Sequence, residues 1–227
     1  MPCSTGKEFA VLVDTRLSWP VVVIIVFCFI FPFLADWHIP LFDGMLVRSV
    51  EDIQAILLLF FAGFSFFYIK PFALAEGKKQ FWLWAVLWWV LLFGRSTSWG
   101  RDYFPEVPRI YFHILSVLFI APVVFMLFSS ALRSEIAIKF RTSAVPVWAF
   151  MLAVAGLIIS DGVEHGRFFH SVFLHDLSYK DLIEELYEFP LILGLFMVTF
   201  QLMKNEVQAA HSVVNEQQQE MKPAGKA

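Results

Sequence analysis

Six ionisable residues crowd the facing ends of two strongly apolar segments late in this chain: Asp161, Glu164 and His165, then Glu184, Glu185 and Glu188. Charge inside a bilayer is costly, so acidic side chains in spanning helices usually face a cavity, a partner or an ion. Helical spacing decides which of them can cooperate. Asp161 and His165 are i,i+4 neighbours, as are Glu184 and Glu188, so each pair presents two ligating groups on one helix face. Imidazole and carboxylate from facing helices suit a divalent metal ion, zinc or iron among the candidates, with Asp161, His165, Glu184 and Glu188 as leading ligands. With one coordination position open, such a metal activates water for hydrolysis, and Glu185 or Glu164 is the candidate general base. The substrate expected for a site in a bilayer is a lipid. The spacing carries no H-E-x-x-H. The Glu-x-x-His pairs of a bundle di-iron site are also missing, since His165 directly follows Glu164.

Three basic residues belong to the same picture. Arg95, Arg101 and His113 are candidates for holding a substrate or for structural ion pairs. Arg95 and Arg101, with Ser96 and Ser98, have the character of an anion clamp for a lipid phosphate or carboxylate. Equally, Arg101 with Trp99 and Tyr103 would anchor a helix end among headgroups. Other readings of the layer stay open. Arg95 bridging Asp161 and Glu188 would make it a structural ion-pair layer in a non-catalytic membrane subunit. Intramembrane Asp, Glu and His chains also serve proton or ion-coupled transport, although the opposite halves of the spans offer only Ser65, Ser129 and Gln201 as polar steps. His113 and His165 on different helices leave haem ligation as a further alternative.

The elements that must position these groups follow from composition. The chain is 59% hydrophobic, 18% aromatic and 16% charged, with a net charge of -3 and a mean hydropathy of +0.68, which describes a polytopic membrane protein solvated mainly by lipid. No basic run suggests nucleic acid as a partner. Apolar runs place six spans near 17–37, 50–69, 81–99, 109–131, 145–165 and 182–203, each about long enough to cross ~30 Å of hydrocarbon. The expected fold is an all-α, six-helix transmembrane bundle over 17–203, flanked by a cytoplasmic N-terminal segment, 1–16, and a polar cytoplasmic tail, 204–227. Pro32, Pro122 and Pro190 inside spans predict kinks. No cleavage pattern follows the first run, which reads as a retained helix. Cys3 and Cys28 suit neither a disulfide nor a zinc spacing.

Basic residues set the orientation. One set of alternating loops carries eleven Lys and Arg, from Lys7 and Arg16 to Lys222 and Lys226; the other carries six, including Arg48, Arg101 and Arg167. Both termini are therefore predicted to be cytoplasmic, with the inner (plasma) membrane as the expected location. The Gln-rich tail carries Val207, Ala210, Val213 and Val214 at near-helical spacing, a surface for docking a protein partner. Helix rise then converts position to depth. Arg95 lies ~21 Å above Phe81, Asp161 ~24 Å above Val145 and Glu188 ~24 Å above Lys204, while His113 enters ~6 Å from the outer side. The expectation is a single layer in the outer quarter of the bilayer, too acidic for its Arg residues to neutralise, with no comparable collection at the cytoplasmic ends.

Overall fold

Apolar runs of this length satisfy their own backbone groups only as helices when lipid surrounds them. The computed structural model, which describes residues 12–101, 103–167 and 170–220, is all-helical apart from one two-residue bridge. Nine α-helices appear among the described residues: α1 (Trp19–Ile30), α2 (Phe33–Asp36), α3 (Met45–Ile69), α4 (Glu76–Ser96), α5 (Arg109–Met126), α6 (Ser130–Thr142), α7 (Val147–Glu164), α8 (His170–Phe173) and α9 (Lys180–Glu220). Strands β1 (Val13–Asp14) and β2 (Val145–Pro146) pair in parallel, Val13 opposite Val145. Segments 1–11 and 221–227, with Cys3, Lys7, Lys222 and Lys226, lie outside the described residues, as do Asp102, Phe168 and Phe169.

Among the described residues, four segments are long and apolar enough to cross a membrane: Phe42–Ala73, Arg109–Met126, Val147–Glu164 and Leu177–Ala209. The sequence reading had six, and the two others differ for identifiable reasons. Proline has no N–H to donate and its ring collides with the preceding turn, so α1 stops short of Pro32 after 12 residues. At 1.5 Å per residue α1 reaches roughly 18 Å, and the chain needs α2 to continue. Helix α4 has 21 residues, but Glu76, Lys78 and Lys79 occupy its first turn and four tryptophans dilute its apolar character. Pro122 and Pro190 lie within continuous helices α5 and α9. The span expected at 109–131 ends at Met126 and the chain re-enters helix at Ser130, because the Ser129 hydroxyl accepts a hydrogen bond from the Leu132 N–H at 3.5 Å and caps α6.

Lipid tails are as apolar as leucine, so helices in a bilayer associate through close packing and polar satisfaction rather than through a hydrophobic drive. The α7–α9 crossing shows this plainly. Ala149, Ala153, Gly156 and Ser160 form a small-residue stripe buried on α7. A Cβ at Gly156 would lie 2.7 Å from the Leu191 nitrogen and 2.8 Å from the Tyr187 carbonyl oxygen; one at Gly194 would lie 2.7 Å from the Ala149 oxygen. The two backbones are in contact, and only glycine fits at either point. Helix α3 packs on α4 and α9 through Leu58, Phe61, Ala62, Trp89 and Ile192, with Phe61 and Phe196 stacked at 3.8 Å.

The ends of the helices are tied together by hydrogen bonds across long sequence separations. At one end the Trp148 indole donates to the Thr15 carbonyl at 2.9 Å, beside the β1–β2 bridge. At the other, the Tyr187 hydroxyl donates to the Cys28 carbonyl at 2.7 Å and the Tyr179 hydroxyl to the Ile39 carbonyl at 2.8 Å. The stretch after α7 is likewise pinned. Leu174 is buried, Phe173 packs edge-on against Tyr187, and His175 sits 2.8 Å from Asp36.

Candidate functional site

Four helices bring their acidic ends to one cavity. Glu51 comes from the second turn of α3, Arg95 and Ser96 from the last turn of α4, Glu164 from the end of α7, and Glu184, Glu185 and Glu188 from the first turns of α9. The cavity encloses about 270 Å³, and Leu58, Leu92, Leu191 and Ile192 close it toward the apolar interior. Five carboxylates therefore face one guanidinium across a small volume. The position of α9 is what makes this possible: its glycine-mediated contact with α7 lays Glu164 beside Glu184 and Glu188.

The surrounding hydrogen bonds hold the walls. Gln54, fully buried on α3, donates from Nε2 to the Glu185 carbonyl at 2.6 Å, while its Oε1 has no partner. The Ser96 hydroxyl on the cavity wall is also buried without a partner. Buried polar atoms are paired in the great majority of cases, and others without a hydrogen-bond partner occur elsewhere among the described residues as well, at Ser65, Trp82 and Glu135.

The expected ligand set divides. Asp161 and His165 join Glu164 at the outer rim of α7, where one ligand atom from each lies within 4.8 Å of the others. His165 Nδ1 is 3.3 Å from Asp161 and 3.5 Å from Glu164, and the three side chains are 41–46% exposed. Glu184 and Glu188 line the cavity instead, with Glu164 common to both groups. Glu185 also lines the cavity, beside its backbone bond from Gln54. The alternative in which Arg95 bridges Asp161 and Glu188 is not formed at Asp161, which is bound by Arg167 at 2.6 Å, six residues on, after the chain turns at Gly166 with φ +60°. Arg95 is left facing Glu188, to which it is electrostatically coupled.

The basic residues divide in the same way. Arg101 and His113 do not reach the acidic cavity; with Arg109, Phe112, Ser98 and Ser116 they line a second hollow of about 240 Å³ at the outer end of α5. The anion clamp read as one unit from Arg95 to Arg101 is thus split across α4, and Ser98 is the residue that touches both hollows. Nearby, the Tyr103 hydroxyl donates to Asp52 at 2.5 Å, and the Arg48 guanidinium lies 5.6 Å from the Tyr103 ring. The hydrogen bond to the Asp52 carboxylate holds the Tyr103 proton and raises its pKa above the usual phenol value.

Sequence reasoning passed over a second charged cluster at the opposite end of the bundle. Glu206 of α9 is 4% exposed and paired with Lys78 of α4 at 2.6 Å and with Lys139 of α6, which also approaches Glu135 at 3.6 Å. Lys139 further lies 5.9 Å from the Phe81 ring. The signal was weak because Lys139 and Glu206 are 67 residues apart and each reads alone as an ordinary solvated charge.

No family model, curated protein or solved structure matches the chain, so its function is read from its own residues.

Proposed function

We propose that this is a multi-pass membrane protein that binds a divalent cation where the rim cluster meets the acidic cavity, with Glu164 as the shared ligand. One observation carries the reading: Glu164 belongs both to a three-ligand group with Asp161 and His165 and to a cavity whose other walls carry Glu51, Glu184, Glu185 and Glu188. Mutual repulsion among those carboxylates is relieved by a bound cation more fully than by Arg95 alone. Carboxylate oxygens with one imidazole suit manganese, iron or zinc, and His165 weights the choice toward the latter two. When bound with an open position, the ion supplies activated water for hydrolysis of a lipid-type substrate, for which Glu185 on the cavity wall is the base.

In this reading the protein has six spans and cytoplasmic termini in the inner membrane. Supporting the first span, the stretch of α1 and α2 lies between the Thr15–Trp148 contact and the Ile39–Tyr179 contact. The excess of Lys and Arg on the loops of the first end supports a cytoplasmic position for it.

Elemental analysis of purified protein tests the cation. Wild type is expected to carry stoichiometric metal, lost in His165→Ala and Glu188→Gln, whereas Arg167→Gln, which frees Asp161, should tighten binding. Folded wild-type protein that stays free of metal after incubation with zinc, iron and manganese overturns the proposal. Single cysteines at Gly44 and Ala75 in a Cys3→Ser/Cys28→Ser background, labelled from outside intact cells, test the orientation: Gly44→Cys should react and Ala75→Cys should not.

A further inference from the structure

On the far side of α4 from the acidic cavity, the bundle is open. Helix α5 packs on α4 and on the turn at Ser98–Gly100, leaving a gap between α3 and α5 of about 730 Å³. Its walls are apolar: Ile56 and Leu59 from α3, Val90 and Phe93 from α4, Leu115 and Phe119 from α5. Asp52 reaches the rim of this gap, but its carboxylate accepts the Tyr103 hydroxyl at 2.5 Å. At the outer end of α5 lies the hollow of about 240 Å³ that carries Arg101, Arg109 and His113.

Trp99 lines both spaces and joins them. It is held there against the backbone's preference. Ser98, Trp99 and Gly100 lie in succession at φ +47°, +58° and +89°, a conformation that side chains other than glycine's rarely adopt. Backbone strain of this kind at Ser98 and Trp99 persists only where the surrounding structure enforces it. The enforcement is visible: the Trp99 ring lies over Gly94, where a Cβ would come within 2.2 Å of it, and it stacks on Phe119 at 5.9 Å. The turn thereby sets an amphipathic indole between a cationic hollow and an apolar one of ligand size.

We propose that these joined spaces bind one anionic phospholipid from the leaflet at this end of the bundle, its phosphate held by Arg101, Arg109 and His113 and an acyl chain lying between α3 and α5. Charge complementarity names the headgroup, since two guanidiniums and an imidazole select phosphate over a zwitterion. The apolar walls name the chain. This site is independent of the cation proposed above, because the acidic cavity is walled by α3, α4, α7 and α9 and the basic hollow by the turn after α4 and by α5, with Ser98 lining both.

Native mass spectrometry of the full chain, released from detergent with equimolar dioleoyl phosphatidylglycerol and dioleoyl phosphatidylcholine, reads the selection. Wild type should retain one phosphatidylglycerol with about tenfold preference, the equivalent of one charge-assisted contact. The Arg101→Gln/Arg109→Gln double variant should bind the two lipids alike. Leu115→Trp, which fills the apolar gap without touching the charges, should lose lipid of either kind while eluting as folded protein. The inference is overturned if wild type shows no preference, if the double variant keeps it, or if millimolar inorganic phosphate displaces the lipid, which would make the site one for a free anion.

Discussion

Adding one methyl group at Gly156 tests how the acidic cavity is assembled. The new Cβ would stand 2.7 Å from the Leu191 nitrogen and 2.8 Å from the Tyr187 oxygen, roughly 0.6–0.7 Å inside the 3.4 Å at which ordinary contact begins. Both obstacles are backbone atoms of α9, which cannot swing aside as a side chain would, so the helices themselves must part. Overpacking of this kind costs about 1–3 kcal/mol. Tyr187 directly precedes Glu188, and Glu164 lies two turns beyond Gly156, so the separation also pulls Glu188 away from Glu164. Gly194→Ala strikes the same interface through Ala149 and Ala153, and because the two positions share one gap their costs should be less than additive. Gly63 supplies the internal control: it lies mid-helix in α3 with nothing within 4 Å of its would-be Cβ, so Gly63→Ala should be neutral or stabilising by up to ~1 kcal/mol. Unfolding in mixed dodecyl maltoside and SDS micelles, followed by tryptophan fluorescence, gives the three stabilities on one scale. Wild-type stability in both Gly156→Ala and Gly194→Ala, or an equal loss in Gly63→Ala, would refute the close crossing as the element that builds the site.

Four further outcomes follow from named contacts. Glu206→Gln should destabilise the bundle by about 3 kcal/mol in the same assay, since it leaves Lys139 and Lys78 without their shared buried carboxylate. Lys78→Met should cost less than Lys139→Met, because the Lys78 side chain is 43% exposed and that of Lys139 only 12%. Tyr103 is held protonated by Asp52, so the stability of this contact is complete below the ordinary phenol pKa of about 10 and lost as pH rises through the elevated one. An ultraviolet titration should show one tyrosine's ionisation moving to lower pH in Asp52→Leu relative to wild type; an unchanged curve in that variant would assign the shift elsewhere. Gly94→Ala should displace the Trp99 ring that covers it and blue- or red-shift its emission relative to Trp99→Phe, with no effect of the alanine once Trp99 is gone.

Much of the architecture was legible because lipid imposes a simple rule. A run of about 20 apolar residues must satisfy its own backbone, and it does so as a helix, so α3, α5, α7 and α9 stand close to where hydropathy put them. Depth was legible only in part, although rise per residue is constant. Arg95, His113, Asp161 and Glu188 were expected at one level; Arg95 and Glu188 line the acidic cavity, while Asp161 groups with Glu164 and His165 and His113 lines the separate hollow with Arg101. Pro32 was expected only to kink a first span over 17–37, whereas α1 ends just before it. Capping by Ser129 and the resulting α6 were missed, because a short amphipathic helix among charged loop residues has no long apolar run to announce it.

What the chain's own order of residues determined was therefore which segments are helices, how long they are, and which charges they carry at what height. Which of those charges meet is a matter of azimuth, and one residue turns a helix face by about 100°. Tertiary structure alone decided that Asp161 turns to Arg167 while Glu188 keeps Arg95, that Arg101 and His113 stand across α4 from the acids, and that Glu206 finds Lys139 across 67 residues. The reason lies in the contacts that set helix rotation. Gly156 and Gly194 let α7 and α9 touch backbone to backbone, and that single contact fixes which faces of the two helices, and so which carboxylates, look into the cavity.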